Sequence, residues 1–270
     1  MDKVTINLND ISSIGSTAIR RAYAFMGFGI NAAENPDQKQ VVLPGIVKPR
    51  IFPENASNED LNMLKAGFKT WITGNALREL VEGFEHYFRA VLITLIRTHR
   101  SKGHEIDFNK LLRDFDNKGI GGKLELIRKE FNVEIPKSVD FVAINYARNS
   151  LTHGRGYIRP RDCNEDKALV MQWRAIEIWV DSNDGEKIPI KSDSDEPIPV
   201  QAGGTIKLQP FDQVKKIDAG TPLDLTPKEL EGLFFACQIF VNELQNNLIP
   251  IFQSIDITIN TEENGSDAES

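Results

Sequence analysis

At ~150 residues per domain, a chain of 270 residues leaves room for one to two domains. Hydrophobic residues make up 40% of it and charged residues 26%, enough for a real core, which excludes a disordered chain or a disulfide-stapled miniprotein. The formal charge is −7, and residues 253–270 carry Asp256, Glu262, Glu263, Asp267 and Glu269 with no Lys or Arg. A general basic coat for nucleic acid is thereby excluded, so any nucleic-acid role must rest on a local patch.

Cys163 and Cys237 lack metal-ligand spacing and fit a reducing, cytoplasmic setting. The most apolar run, residues 90–96, includes Thr94 and falls far short of the ~18 residues a membrane span requires. The opening MDKVTINLND is too polar to read as a signal peptide. Neither a membrane, a metal nor a cofactor is expected.

In chain order, weak periodicity over 11–28 predicts a short helix. The four prolines Pro36, Pro44, Pro49 and Pro53 then predict an extended arm. Ser57-Asn-Glu-Asp60 has the form of a capping box with Asp in place of Glu, so a helix should begin there. Gly74-Asn75 is expected to interrupt it, with a long helix following over 75–100. Its apolar positions Leu77, Leu80, Val81, Phe84, Phe88, Val91, Leu92, Leu95 and Ile96 step by three and four.

Shorter helices are predicted over 107–115 and 122–131, divided by Asn117-Lys118-Gly119. Pro136 should open a further helix running to about Leu151, stopped by Gly154 and Gly156. Residues 168–181 alternate like a strand up to a turn at Asn183-Asp184-Gly185. Segments 187–190, 198–200 and 205–208 are further strand candidates. Trp173 and Trp179, six apart, fall on one strand face and read as core packing. Thr226-Pro227 with Glu229 caps a last helix to about Leu248, with Pro250 following. The fold class expected is mainly α. Its expected divisions are a helix and arm over 1–56, a helical bundle over 57–162 plus 223–252, a β-rich insertion over 163–222, and an acidic disordered tail over 253–270.

Chemistry concentrates in residues 147–161, ARNSLTHGRGYIRPR. This stretch holds Arg148, Arg155, Arg159, Arg161 and His153, one of only four histidines, and no acidic residue. It lies at a helix C-terminus, where the macrodipole favours cations. Asn149 and His153, four apart, share a helix face about 40° wide, whereas Arg148 and His153 sit roughly 140° apart and need a long side chain and a fraying helix end to converge. A phosphate between them would meet a permanent guanidinium charge and an imidazole of near-neutral titration, the parts needed for phosphodiester cleavage without a metal.

Arg148-Asn149-Ser-Leu-Thr-His153, followed by Gly154-Arg155-Gly156, resembles the Arg-X4–6-His signature of the HEPN superfamily (higher eukaryotes and prokaryotes nucleotide-binding domains). The long helix bearing Glu79, Glu82 and Glu85, the short middle helices, the motif helix and the closing helix are similar to that family's layout. The resemblance covers about 57–161 and 226–248. It implies an antiparallel HEPN-like bundle and a metal-independent endoribonuclease, in which two protomers line one cleft with both motifs. The ribose 2′-OH attacks the adjacent phosphate to leave a 2′,3′-cyclic phosphate and a 5′-OH. Carried onto this chain, Arg148 stabilises developing charge, His153 transfers protons, and Asn149 positions one of them or the phosphate. The family's members serve bacterial toxin–antitoxin, abortive-infection and antiviral systems, so an antitoxin or regulatory protein is an implied partner.

Beside the motif, Arg155, Arg159 and Arg161 are candidate RNA contacts, and Tyr157 a base-stacking surface. Glu79, Glu82 and Glu85 read as a solvated face, from which one could orient Arg148. Gly119-Ile-Gly-Gly122-Lys123 lacks the spacing and hydroxyl residue of a phosphate loop, and no strand precedes it. Two other readings stay open: a catalytically inactive HEPN-like module that binds nucleotide, RNA or a partner through the same cleft, and an adaptor that docks proteins through its tail and insertion.

Overall fold

The computed structural model describes residues 5–34, 57–190 and 203–260. The expected arm, the strand at 198–200 and the end of the tail lie outside the described residues.

The capping box forms as the sequence predicts. The Ser57 hydroxyl accepts the Asp60 N–H at 3.1 Å, and the Asp60 carboxylate accepts the Ser57 N–H at 3.2 Å. Helix α2 (Asn58–Ser101) then runs 44 residues without the break expected at Gly74-Asn75. Two local interactions keep it intact. The Asn75 side chain donates to the Trp71 carbonyl at 2.7 Å within the helix, and Gly74 clears space for Leu151, whose Cδ2 would lie 3.1 Å from a Cβ there. A mid-helix glycine costs only about 1 kcal/mol, less than the packing it admits.

Helix α1 (Leu8–Glu34) is longer than its periodicity predicts and lies antiparallel on α2, with Leu8, Ile11, Ile19, Ala22 and Met26 in the common core. Small residues allow the close approach. A Cβ on Gly83 would lie 2.3 Å from Ala18 Cβ, one on Gly29 2.7 Å from Ile72 Cδ1, and one on Gly15 2.7 Å from Val241 Cγ2. Ahead of α1, β1 (Thr5–Asn7) pairs in parallel with β5 (Thr258–Asn260). This pairing orders residues that the sequence assigned to the disordered tail.

The shorter helices α3 (Phe108–Asp116), capped by Asp107, and α4 (Ile120–Phe131) follow within two residues of expectation. Helix α5 (Phe141–His153) begins later than Pro136 because the residues before it lie alongside a strand. Asp140 donates its N–H to the Gln172 carbonyl at 3.0 Å, and the Ser138 carbonyl accepts from Arg174 at 2.8 Å. Asp140 is the actual cap, its carboxylate accepting the Val142 and Ala143 N–H groups. The last helix, α6 (Pro227–Ser254), passes through Pro250 instead of ending before it. Pro250 is exposed, so the carbonyl it frees faces solvent, while Phe252 beyond it is fully buried and holds the final turn.

An aromatic cluster ties α2, α5 and α6 together. Phe141 lies 4.6 Å from Phe84, 5.3 Å from Phe88 and 4.8 Å from Phe240, mostly edge to face. Between α5 and α6 the chain forms a three-stranded antiparallel sheet of β2 (Ala168–Ser182), β3 (Lys187–Pro189) and β4 (Gly204–Asp218), in the order β3-β2-β4. β2 and β4 pair along their whole length, from Ala168↔Asp218 to Ser182↔Gly204. β4 is far longer than the expected 205–208, because as an edge strand it carries polar residues and Pro210. The base of β2 packs into the core through Leu169, Met171 and Trp173, the last 2% exposed. Trp179 does not join it. The distal ribbon leaves the bundle, and Trp179 lies under Lys187 (3.9 Å to the ring) and donates to Asp181.

The molecule is thus mainly helical with a small β insertion before the last helix. Among the described residues no helix is long and apolar enough to cross a membrane. Gly83→Ala should destabilise the protein by roughly 1–3 kcal/mol, because the added methyl must push α1 off α2. Gly67→Ala, with nothing within 4 Å of the new methyl, should stabilise it by about 0.5–1 kcal/mol. Denaturant midpoints of the two variants check the contrast.

Candidate functional site

The motif occupies the last two turns of α5, and the turn after it is sterically fixed. A Cβ on Gly154 would lie 2.4 Å from the Tyr157 carbonyl oxygen and 2.7 Å from that of Ser150, so only glycine fits. Gly156, at φ +83°, donates its N–H to the Ser150 carbonyl at 3.1 Å. The turn is docked against the segment leading to α6: Leu223 N–H donates to the Gly156 carbonyl at 2.7 Å, and Ile158 N–H to Thr221 at 2.9 Å. The end of α5 is therefore a rigid platform rather than a frayed one.

On that platform His153 is exposed and has no hydrogen-bond partner among the described residues. Arg148 turns the other way along the helix. Its Nη2 donates to Asn145 Oδ1 at 2.8 Å and approaches Glu85 Oε1 at 3.4 Å, while its Nε is buried without a partner. No hydrogen bond joins Arg148 to His153 within the chain. Asn149 is half-buried, and its backbone carbonyl accepts from Arg159 Nη2 at 3.3 Å.

Glu85 is the acidic residue of the α2 face that reaches Arg148. Glu79 instead pairs with Arg21 at 2.6 Å. The other oxygen of Glu85 lies 3.5 Å from Lys123 Nζ, a contact the sequence did not reveal. α4 is brought close to α5 by Gly121, where a Cβ would come 2.9 Å from Val142 Cγ2. Lys123, with only 10% of its side chain exposed, is thereby carried in toward α2.

The flanking cations divide. Arg155 (φ +53°) and Arg161 are exposed, and Tyr157 is 52% exposed on the same turn. Arg159 is different. It holds the buried Asp162 through both Nε and Nη2, and that carboxylate raises its pKa further above the ordinary arginine value. With its third contact on the Asn149 carbonyl, Arg159 closes the C-terminus of α5 instead of facing solvent.

Elsewhere, His99 bonds to the Leu95 carbonyl at 2.8 Å, and burial lowers its pKa, while Lys102 reaches the Asp256 carbonyl at 2.7 Å. That basic cluster is tied into the fold. Burial raises the pKa of both Cys163 and Cys237, with Asp162 and Asp218 adding to the effect at Cys163, so neither thiol is activated. Among the described residues no three His, Cys, Asp or Glu side chains are grouped to hold a metal ion.

No protein-family model, curated protein or solved structure matches the chain. The site is therefore judged on its own geometry. Arg159→Ala should lower the melting temperature, since it strands the buried Asp162 carboxylate and uncaps α5. Arg155→Ala and Arg161→Ala should leave it within a degree or two of wild type, as exposed substitutions do. Thermal melts of the three variants separate the structural arginine from the accessible ones.

Proposed function

We propose that this chain is a metal-independent endoribonuclease of HEPN type. It acts as a homodimer in the cytoplasm of a bacterial toxin–antitoxin or antiviral system, with an antitoxin or regulatory protein as its partner. The observation that carries the reading is the end of α5, where His153, exposed and without a hydrogen-bond partner among the described residues, adjoins a turn that also exposes Arg155, Tyr157 and Arg161, with the part-buried Arg148 five residues before it. In an acidic chain this is where an RNA phosphate finds positive charge without a competing exposed carboxylate on the same segment.

In the proposed reaction His153 takes the proton from the ribose 2′-OH. The 2′-oxygen bonds to the adjacent phosphorus, and the bond to the 5′-oxygen breaks as that oxygen takes the proton back from the His153 imidazolium. Arg148 stabilises charge on the non-bridging oxygens, and Asn149 positions the phosphate or the imidazole. Because Arg148 and His153 do not touch within one chain, the reading places the complete constellation in a cleft shared by two α5 ends. Arg155 and Arg161 hold the RNA backbone, and Tyr157 stacks on a base.

Incubation with total RNA in EDTA tests the proposal. Wild type should cut to 2′,3′-cyclic phosphate ends, and Arg148→Ala or His153→Ala should lose roughly 10²–10⁴-fold in rate. Arg155→Ala and Arg161→Ala should each weaken RNA binding and reduce its salt slope by about one. A folded, dimeric wild type that binds RNA but leaves it intact would instead favour a binding module using the same cleft.

A further inference from the structure

Lys123 sits where a lysine is costly. It lies in the first turn of α4, whose N-terminal dipole disfavours cations, and only 10% of its side chain is exposed, so most of its stem is packed against the protein. Two groups meet that charge. Glu85 Oε2 lies 3.5 Å from Nζ, and the face of Phe115 lies 5.4 Å from it. An apolar residue would fill the same space at lower cost, which asks what the charge accomplishes there.

The answer lies across the carboxylate. Glu85 faces Lys123 with one oxygen and Arg148 with the other, at 3.5 Å and 3.4 Å, and neither contact is a close bidentate pair. Three ionised groups therefore share one site with a net charge of +1. Without Lys123, Glu85 would bring the local charge to zero and weaken the pull of the guanidinium on an incoming phosphate. With Lys123 fixed in the core, the carboxylate is divided between two cations. Arg148 stays oriented through Nη2 and Asn145, and the cluster as a whole keeps a net positive charge.

We infer that Lys123 is a positioning residue that acts through Glu85 to keep the net charge around Arg148 positive toward a phosphodiester ligand. The Lys123–Glu85–Arg148 cluster is then an anion-binding subsite whose strength is set by its net charge. This inference rests on the ribonuclease reading for the identity of the ligand, but its charge arithmetic is independent of whether the bond is cut.

The test measures the affinity of a short 2′-O-methyl oligoribonucleotide, which presents phosphodiesters that cannot be cleaved, alongside kcat and KM on the ribo-oligonucleotide. Lys123→Met brings the cluster from +1 to 0 and should weaken binding roughly tenfold. Glu85→Gln brings it to +2 and should bind at least as tightly as wild type while lowering kcat, because Arg148 loses its orientation. The double variant returns to +1 and should regain wild-type affinity. A purely structural lysine would not give that order. If Lys123→Met fails to fold, the same tenfold step is read between Glu85→Gln and the double variant, where no carboxylate is left unpaired. Equal affinities across the set, or a double variant no better than Lys123→Met, would overturn the inference, as would a wild type that does not bind the oligonucleotide. Affinities in the expected order with no cleavage by wild type would support the subsite and sink the nuclease reading. Cleavage by wild type with flat affinities would do the reverse.

Discussion

Helix α2 gives the other helices a surface to bury, because its apolar positions from Ile72 to Ile96 wrap most of the way around the helix. One flank takes α1 at the distance set by Gly83 and Ala18, another takes α6 around Tyr87 and Phe84, and a third takes α5 through Phe141 and Leu151. The remaining stripe carries Arg78, Glu82 and Glu85, spaced at helical intervals beside α5. Glu85 thus owes its position to the same packing that fixes the core. The charged cluster at Arg148 draws one residue from each of three packed helices, Glu85 from α2, Lys123 from α4 and Arg148 from α5.

The C-terminus of α5, just beyond Arg148, is fixed by different means. Gly154 meets two carbonyl oxygens where any side chain would clash, Gly156 takes a left-handed backbone, and Arg159 with Asp162 closes the last turn. His153 is therefore presented from a locked turn while remaining open to solvent. The combination suits a group that must meet a ligand in a defined place. Arg148 on one side is tied to a part-buried electrostatic network, and His153 on the other has no hydrogen-bond partner among the described residues.

Much of this was legible in the sequence, and the failures have identifiable causes. The caps at Ser57 and Thr226 located two helix starts, because a side-chain oxygen three residues before an amide is a local signal. Gly74 and Pro250 misled as helix breakers, since tertiary packing through Leu151 and Phe252 outweighed local propensity. Pro136 misled because the backbone before α5 pairs with β2, a long-range interaction that no local pattern reports. The three-residue β1 and β5 are too short to show a period. At the site, Glu85 was one of three α2 carboxylates the sequence set against Arg148, and it is the one that approaches the guanidinium, at 3.4 Å. Lys123 was not legible there, because it was read only as part of a failed phosphate-loop pattern, and its approach to Glu85 depends on Gly121 seating α4 against α5. Arg159 looked like a surface cation until the burial of Asp162 three residues on gave it a structural task.

The central claim is that the end of α5 turns a ribose 2′-hydroxyl against its own phosphate without a metal. The most direct measurement takes an RNA oligonucleotide with one mapped cleavage position and replaces the 2′-OH at that position alone with hydrogen, in EDTA. The account predicts that cleavage there stops while binding is retained within a few-fold. Continued cutting at the deoxy position would contradict it and require a nucleophile other than the ribose.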